Sequence, residues 1–219
     1  MNAIVKILMI VVLCCFVFIS WSISNADGAD WRVWTNNGGM SISLDGQSEG
    51  HKSYHQFGLE GIFDVKGGYL TGGADAWFRG EPADEDPEVP QIGWNANATY
   101  LYNIEDQLLP YLGVQWSHIA NDHPTHYPEG SYDEEFDMAL ARFGARVVLE
   151  PFWVNLGTQI PFYSSSKSGN FGADVGIGFT WKRLDVGYKF KQIILTDHHF
   201  SGNASMEFYW SGLEIGYTF

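Results

Sequence analysis

Apolar and polar positions alternate with a period of two along much of this chain, most plainly at its end. Over the last eleven residues Tyr209, Ser211, Leu213, Ile215, Tyr217 and Phe219 fall on one side, and Trp210, Gly212, Glu214, Gly216 and Thr218 on the other. That period belongs to a strand whose two faces meet different surroundings, not to a helix. A strand of this length crosses a bilayer when tilted.

The same reading finds ten strands, at 31–45, 54–63, 69–80, 91–104, 110–121, 136–149, 152–163, 171–181, 184–195 and the C-terminal one. In the first, Met40, Ile42 and Leu44 share a face opposite Ser41, Ser43 and Asp45. In the third, Leu70, Ala74, Ala76 and Phe78 alternate with Tyr69, Thr71, Asp75, Trp77 and Arg79. The fourth sets Ile92, Trp94, Ala96, Ala98, Tyr100, Tyr102 and Ile104 against Gly93, Asn95, Asn97, Thr99 and Asn103, with aromatics towards its ends. Short turns are expected at 64–68, 105–109, 150–151 and 182–183, and longer polar connections at 46–53, 81–90, 122–135, 164–170 and 197–205. Eight is the alternative strand count, and a soluble barrel or sandwich the competing architecture.

The terminal Phe219, with Tyr217 two positions earlier and aliphatics before it, resembles the C-terminal signal strand of bacterial outer-membrane β-barrels. The resemblance implies a transmembrane antiparallel up-and-down β-barrel with an even number of strands, short periplasmic turns and longer extracellular loops. It places both termini in the periplasm and makes Tyr217 and Phe219 an assembly signal. The partners it implies are outer-membrane lipid and lipopolysaccharide and the barrel assembly machinery. A monomer is expected.

The start of the chain fits export. Lys6 precedes an uncharged run from Ile7 to Ile19, and Ser24, Asn25 and Ala26 supply small residues ahead of Asp27. Residues 1–26 therefore read as a cleaved signal peptide and 27–219 as a single barrel domain. Both cysteines, Cys14 and Cys15, lie in the leader, so the mature chain has no thiol or disulfide. Removing the leader takes away one Lys, leaving a formal charge of 11 − 26 = −15. An acidic chain without Lys/Arg clusters is a poor match to phosphate backbones, which argues against nucleic acid as a partner.

Alternation sends Glu60, Asp75, Asp174, Asp185 and Glu214 inward, together with Arg79, Arg142, Arg146, Lys189 and Lys191. Balanced charge in a narrow barrel predicts a lumen network of ion pairs rather than an open channel. The excess acid then lies in the connections, at Glu81, Asp84, Glu85, Asp86 and Glu88 and again from Asp122 to Asp137. All seven histidines, His51, His55, His118, His123, His126, His198 and His199, fall in or beside the long connections. Imidazole beside carboxylate is a transition-metal donor set, so His123, His126, Asp133, Asp197, His198 and His199 are the metal candidates, and a divalent cation at the extracellular loops is the one cofactor considered.

Outer-membrane lipid A deacylases and phospholipases pair a histidine with a serine in a His-x-Ser arrangement on a strand near the outer leaflet. His118 has the matching location, but Ala120 stands where that serine belongs; His199 and Ser201 keep the spacing within a connection. The sequence thus predicts a small, non-enzymatic barrel with a largely plugged polar lumen, acting in envelope integrity or in surface ligand or cation contact. The alternatives are a narrow, cation-preferring pore and a lipid A or phospholipid acyl hydrolase.

Overall fold

The computed structural model describes residues 29–44, 47–80, 92–105, 107–120, 135–164, 168–197 and 204–219. Among these residues every element is a β-strand. In chain order they are β1 (Ala29–Leu44), β2 (Gln47–Val65), β3 (Gly68–Arg79), β4 (Ile92–Tyr102), β5 (Leu108–Ala120), β6 (Glu135–Leu149), β7 (Phe152–Ser164), β8 (Ser168–Trp181), β9 (Leu184–Asp197) and β10 (Ala204–Thr218). Each pairs antiparallel with its sequence neighbour, and β1 pairs with β10, so ten strands close into one barrel. Closure leaves no unpaired edge, the condition a strand structure must meet in hydrocarbon.

The two faces differ as the alternation requires. Large apolar side chains stand exposed on the outer surface, among them Phe57, Leu112, Val114, Leu156, Phe162, Ile177 and Leu213. Tyr102, Phe152, Trp181, Tyr217 and Phe219 are exposed at the short-turn end. At the other end Trp116 stacks on Tyr163 and Phe57 on Phe78. Aliphatics between two aromatic girdles form the outer surface of a membrane barrel.

The turns are as tight as predicted. Lys66 and Gly67 join β2 to β3 with Gly67 at φ 86°, Lys182 turns at φ 57°, and Glu105 at φ 56° begins the return from β4 to β5. Several expectations need correction, chiefly at strand ends. Residues 47–53 are not a connection: β2 runs on to Gln47 because β1 offers hydrogen-bonding partners up to Leu44. For the same reason β8 begins at Ser168, opposite Thr196, and β9 reaches Asp197, opposite Ala204 of β10. Backbone pairing continues past the apolar band, where side-chain hydropathy no longer marks a strand. In β7 the expected alternation breaks at Pro161, where the register with β6 shifts, and Phe162 and Tyr163 both turn outward. Proline has no N–H for the ladder, and a bulge accommodates it.

The β1–β10 seam explains the glycines at the middle of β1 and β10. Gly38 lies directly opposite Gly212, and a Cβ at either would meet the backbone of the partner strand. Bare backbone is what lets the first and last strands close.

Candidate functional site

Three levels of side chains fill the interior. Towards the long connections Met40, Tyr54, Trp77, Ile119, Met138, Leu140, Ile193 and Phe208 form one apolar cluster, with Trp210 packed against it. Met138 and Leu140 are 0% exposed and Phe208 1%, so no water reaches them. This corrects the picture of a uniformly polar lumen: Met40 belongs to the inner wall and to this cluster. Alternation reports which residues share a face, and a face that looks apolar can meet other side chains instead of lipid.

Below the cluster runs a chain of amides and hydroxyls. Gln56 and Asn95 each donate to the same Asp75 oxygen at 2.6 Å, and Ser117 and Gln115 donate to Asn95 Oδ1 at 2.7 and 3.1 Å. Across the barrel Arg142 Nη2 donates to Asp174 at 2.7 Å. Lys191 stands opposite Asp174 on the neighbouring strand.

The third level, nearest the short turns, centres on Arg32. Its Nη2 donates to Asp185 at 2.8 Å and to Glu214 at 2.6 Å, and its Nη1 lies 3.8 Å from Glu60. Lys189 holds the other Glu214 oxygen at 2.8 Å. Trp153 Nε1 donates to Asp185 at 2.7 Å while the Arg146 guanidinium lies 4.5 Å above the Trp153 ring. The Asp185 and Glu214 carboxylates thus keep the hydrogen bonds and opposite charge that buried ions require.

All ten charged residues assigned inward are buried or line the interior: Glu60, Asp75, Arg79, Arg142, Arg146, Asp174, Asp185, Lys189, Lys191 and Glu214. They do not form one network. Arg142 and Asp174 pair with each other, Asp75 is held by amides, and Glu60, Asp185 and Glu214 gather on Arg32, with Lys189 on the far oxygen of Glu214. Arg32 is the residue the sequence reading missed, although its signal was present in the even-numbered series Arg32, Trp34, Asn36 of the first strand. Between the levels a cavity of about 180 Å³ remains, and Asn36 Oδ1, Gln159 Oε1, Arg142 Nε and Arg146 Nε line it without a protein partner.

On the outer surface two histidines sit at the same end as the apolar cluster. His118 Nδ1 lies 3.0 Å from Asp137 and its ring stacks on Trp94. His55 Nδ1 lies 2.6 Å from Asn37 Oδ1 and its ring packs against Phe78. Among the described residues no group of three or more His, Asp or Glu is placed to hold a metal. The candidates His123, His126, Asp133, His198, His199 and Ser201 lie outside the described residues, as does the expected signal peptide; of Asp197 only the backbone, at the end of β9, is described.

No family model matches the chain, and no curated protein is similar to it in sequence. Solved structures do match. The outer-membrane protease OmpT of Escherichia coli is 10% identical, with a TM-score of 0.53 over 89% of this chain and 98% of that one. An outer-membrane channel of Pseudomonas putida F1 is 11% identical (TM-score 0.44; 88% and 96% covered), and Neisserial surface protein A is 11% identical (TM-score 0.35; 86% and 99% covered). With its own closed ring of ten antiparallel strands, the chain shares the fold of outer-membrane β-barrel proteins.

Proposed function

We propose that this chain is a small bacterial outer-membrane barrel that does not conduct solutes and acts from its outer surface and long loops in envelope integrity or surface ligand and cation contact. Both termini then face the periplasm, because the short turns lie at their end. Its partners are outer-membrane lipid and lipopolysaccharide, with Tyr217 and Phe219 presented to the assembly machinery, and it works as a monomer.

One observation carries the non-conducting reading. Eight apolar side chains, none more than 4% exposed, fill the interior at the long-connection end, with hydrogen-bonded ions beneath them. An ion crossing that cluster would shed its hydration where the side chains offer one oxygen, the Tyr54 hydroxyl, in place of a coordination shell, which is the barrier a selectivity filter is built to avoid. The test is single-channel recording of the folded protein in a planar bilayer. Silence is the expected result. Steady cation-selective openings would overturn the reading in favour of a narrow pore.

A further inference from the structure

We infer that the outer wall formed by β1, β2 and β3 carries a hydrolytic site for ester-linked acyl chains of membrane lipid, with Ser53 as nucleophile, His55 as base and Asn37 as the residue that orients the base. Asn37 and His55 are cross-strand partners on β1 and β2. Their side chains face outward, since Asn36, Tyr54 and Gln56 between them are buried inside. Asn37 Oδ1 lies 2.6 Å from His55 Nδ1. An amide oxygen only accepts, so the imidazole hydrogen is on Nδ1, and in the neutral ring the lone pair is then on Nε2.

Ser53 precedes His55 by two residues and therefore shares its face. Across the β2–β3 ladder stands Gly80, whose N–H donates to the Ser53 carbonyl at 3.0 Å. A Cβ built on Gly80 would lie 2.8 Å from Ser53 Oγ and 3.1 Å from His55 Nε2. The hydroxyl and the ring nitrogen thus flank one spot on the wall at Gly80, no more than 2.8 + 3.1 = 5.9 Å apart. Rotation about the serine Cα–Cβ bond changes that gap, and nucleophile and base commonly close to hydrogen-bond distance only when substrate binds.

The position fits an ester. His55 is ten residues from the turn end of β2 at Val65 (65 − 55 = 10). At roughly 3.3 Å per residue and a tilt of about 40°, that is about 25 Å along the membrane normal, the height of the apolar band of such barrels. Phe78 packs 5.4 Å from the His55 ring and Phe57 6.0 Å from Phe78. An acyl chain lying along these rings puts its ester at Ser53 and its headgroup above it. The site rests on the membrane placement proposed above and departs from the non-enzymatic expectation. At the other histidine pair the Ser117 hydroxyl beside His118 points into the barrel.

In the reaction Ser53 Oγ forms a bond to the ester carbonyl carbon as its proton passes to His55 Nε2. The C–O bond to the alcohol breaks and His55 returns the proton to the leaving oxygen. Water then attacks the acyl-serine, giving up a proton through Nε2, and releases a carboxylic acid with Ser53 restored. Asn37 holds the Nδ1–H tautomer throughout, the role of the orienting group in a triad.

The test uses barrel purified from cells expressing the full chain. It is treated with a fluorophosphonate probe and assayed for fatty-acid release from phospholipid vesicles with and without lipopolysaccharide. The expected result is one labelled residue, Ser53, with label and release both lost in Ser53→Ala. His55→Ala should lower release at least about 100-fold, as for loss of a general base. Asn37→Asp, which can only accept, should keep most of the rate and shift its pH profile, whereas Asn37→Leu should lose it. Heat-modifiable gel migration confirms that each variant is folded. Release from plain vesicles identifies phospholipid as the substrate; release only with lipopolysaccharide identifies its acyl chains. Absence of label on the folded barrel, or label on Ser201 that persists in Ser53→Ala, overturns the inference. Channel recordings judge the plugged reading separately: a silent barrel without label fails only here, and a conducting barrel labelled at Ser53 fails only there.

Discussion

Replacing Arg32 with Met removes the group on which three carboxylates converge. The Arg32 side chain is 10% exposed and that of Glu214 is 3%, so the pair is nearer the buried limit than the surface one. Surface ion pairs contribute about 0–1 kcal/mol, but removing one partner of a buried pair is destabilising by about 3–5 kcal/mol, because the other charge stays desolvated. Two features set where in that range the value falls. Glu214 keeps Lys189 at 2.8 Å, and Asp185 keeps the Trp153 indole at 2.7 Å and the Thr180 hydroxyl at 3.1 Å. With those bonds retained, the lower end, about 3 kcal/mol, is the expected loss for Arg32→Met. The assay is reversible urea unfolding of the barrel in lipid vesicles, followed by Trp fluorescence. A double-mutant cycle with Glu214→Gln should return a coupling of about 1–3 kcal/mol, as expected for directly bonded groups. A loss under about 1 kcal/mol, with the two changes additive to within about 0.5 kcal/mol, would refute the claim that this cluster holds the lumen together.

Other consequences are as specific. Trp153→Phe keeps a ring beneath Arg146 but removes the N–H donated to Asp185, so it should be destabilising by about 1.5–3 kcal/mol, the range for a hydrogen bond to a charged group. Opening the apolar plug with Met138→Ala, Leu140→Ala and Phe208→Ala together should produce conductance from a silent barrel; continued silence in the folded triple variant would place the barrier lower, at the ion pairs. Gly38→Val or Gly212→Val should reduce the yield of heat-modifiable, closed barrel, because a side chain at either position meets seam backbone, and normal closure would show that the seam has slack.

Much of the fold was legible because the barrel imposes one simple rule on the chain. Lipid on one side and a packed lumen on the other force a period of two, so Phe57, Phe78, Phe143 and Ile177 announce the outer wall wherever it meets hydrocarbon. The rule stops at the edge of the apolar band, where polar side chains suit both faces, so the extended part of β2 that carries Ser53 shows no strand pattern. The ten inward charges were legible on the same rule, whereas the convergence of three of them on Arg32 was not.

The sequence alone determined which residues share a face, where the tight turns fall, and that charges of both signs enter the lumen; ten strands rather than eight was settled by the closed ring. Only the tertiary structure decided which residues meet. Arg32 and Glu214 are 182 positions apart and touch because the first strand pairs with the last. Met40 and Phe208 share their inward parity with Arg32 and Glu214, but that they meet Tyr54, Trp77, Ile119, Met138, Leu140 and Ile193 as one plug follows only from closure. Asn37, Ser53 and His55 came together because one register places them so. The physical reason is common to all three: alternation fixes the direction of a side chain locally, but its neighbours are set by register and closure, which depend on hydrogen bonds between distant segments.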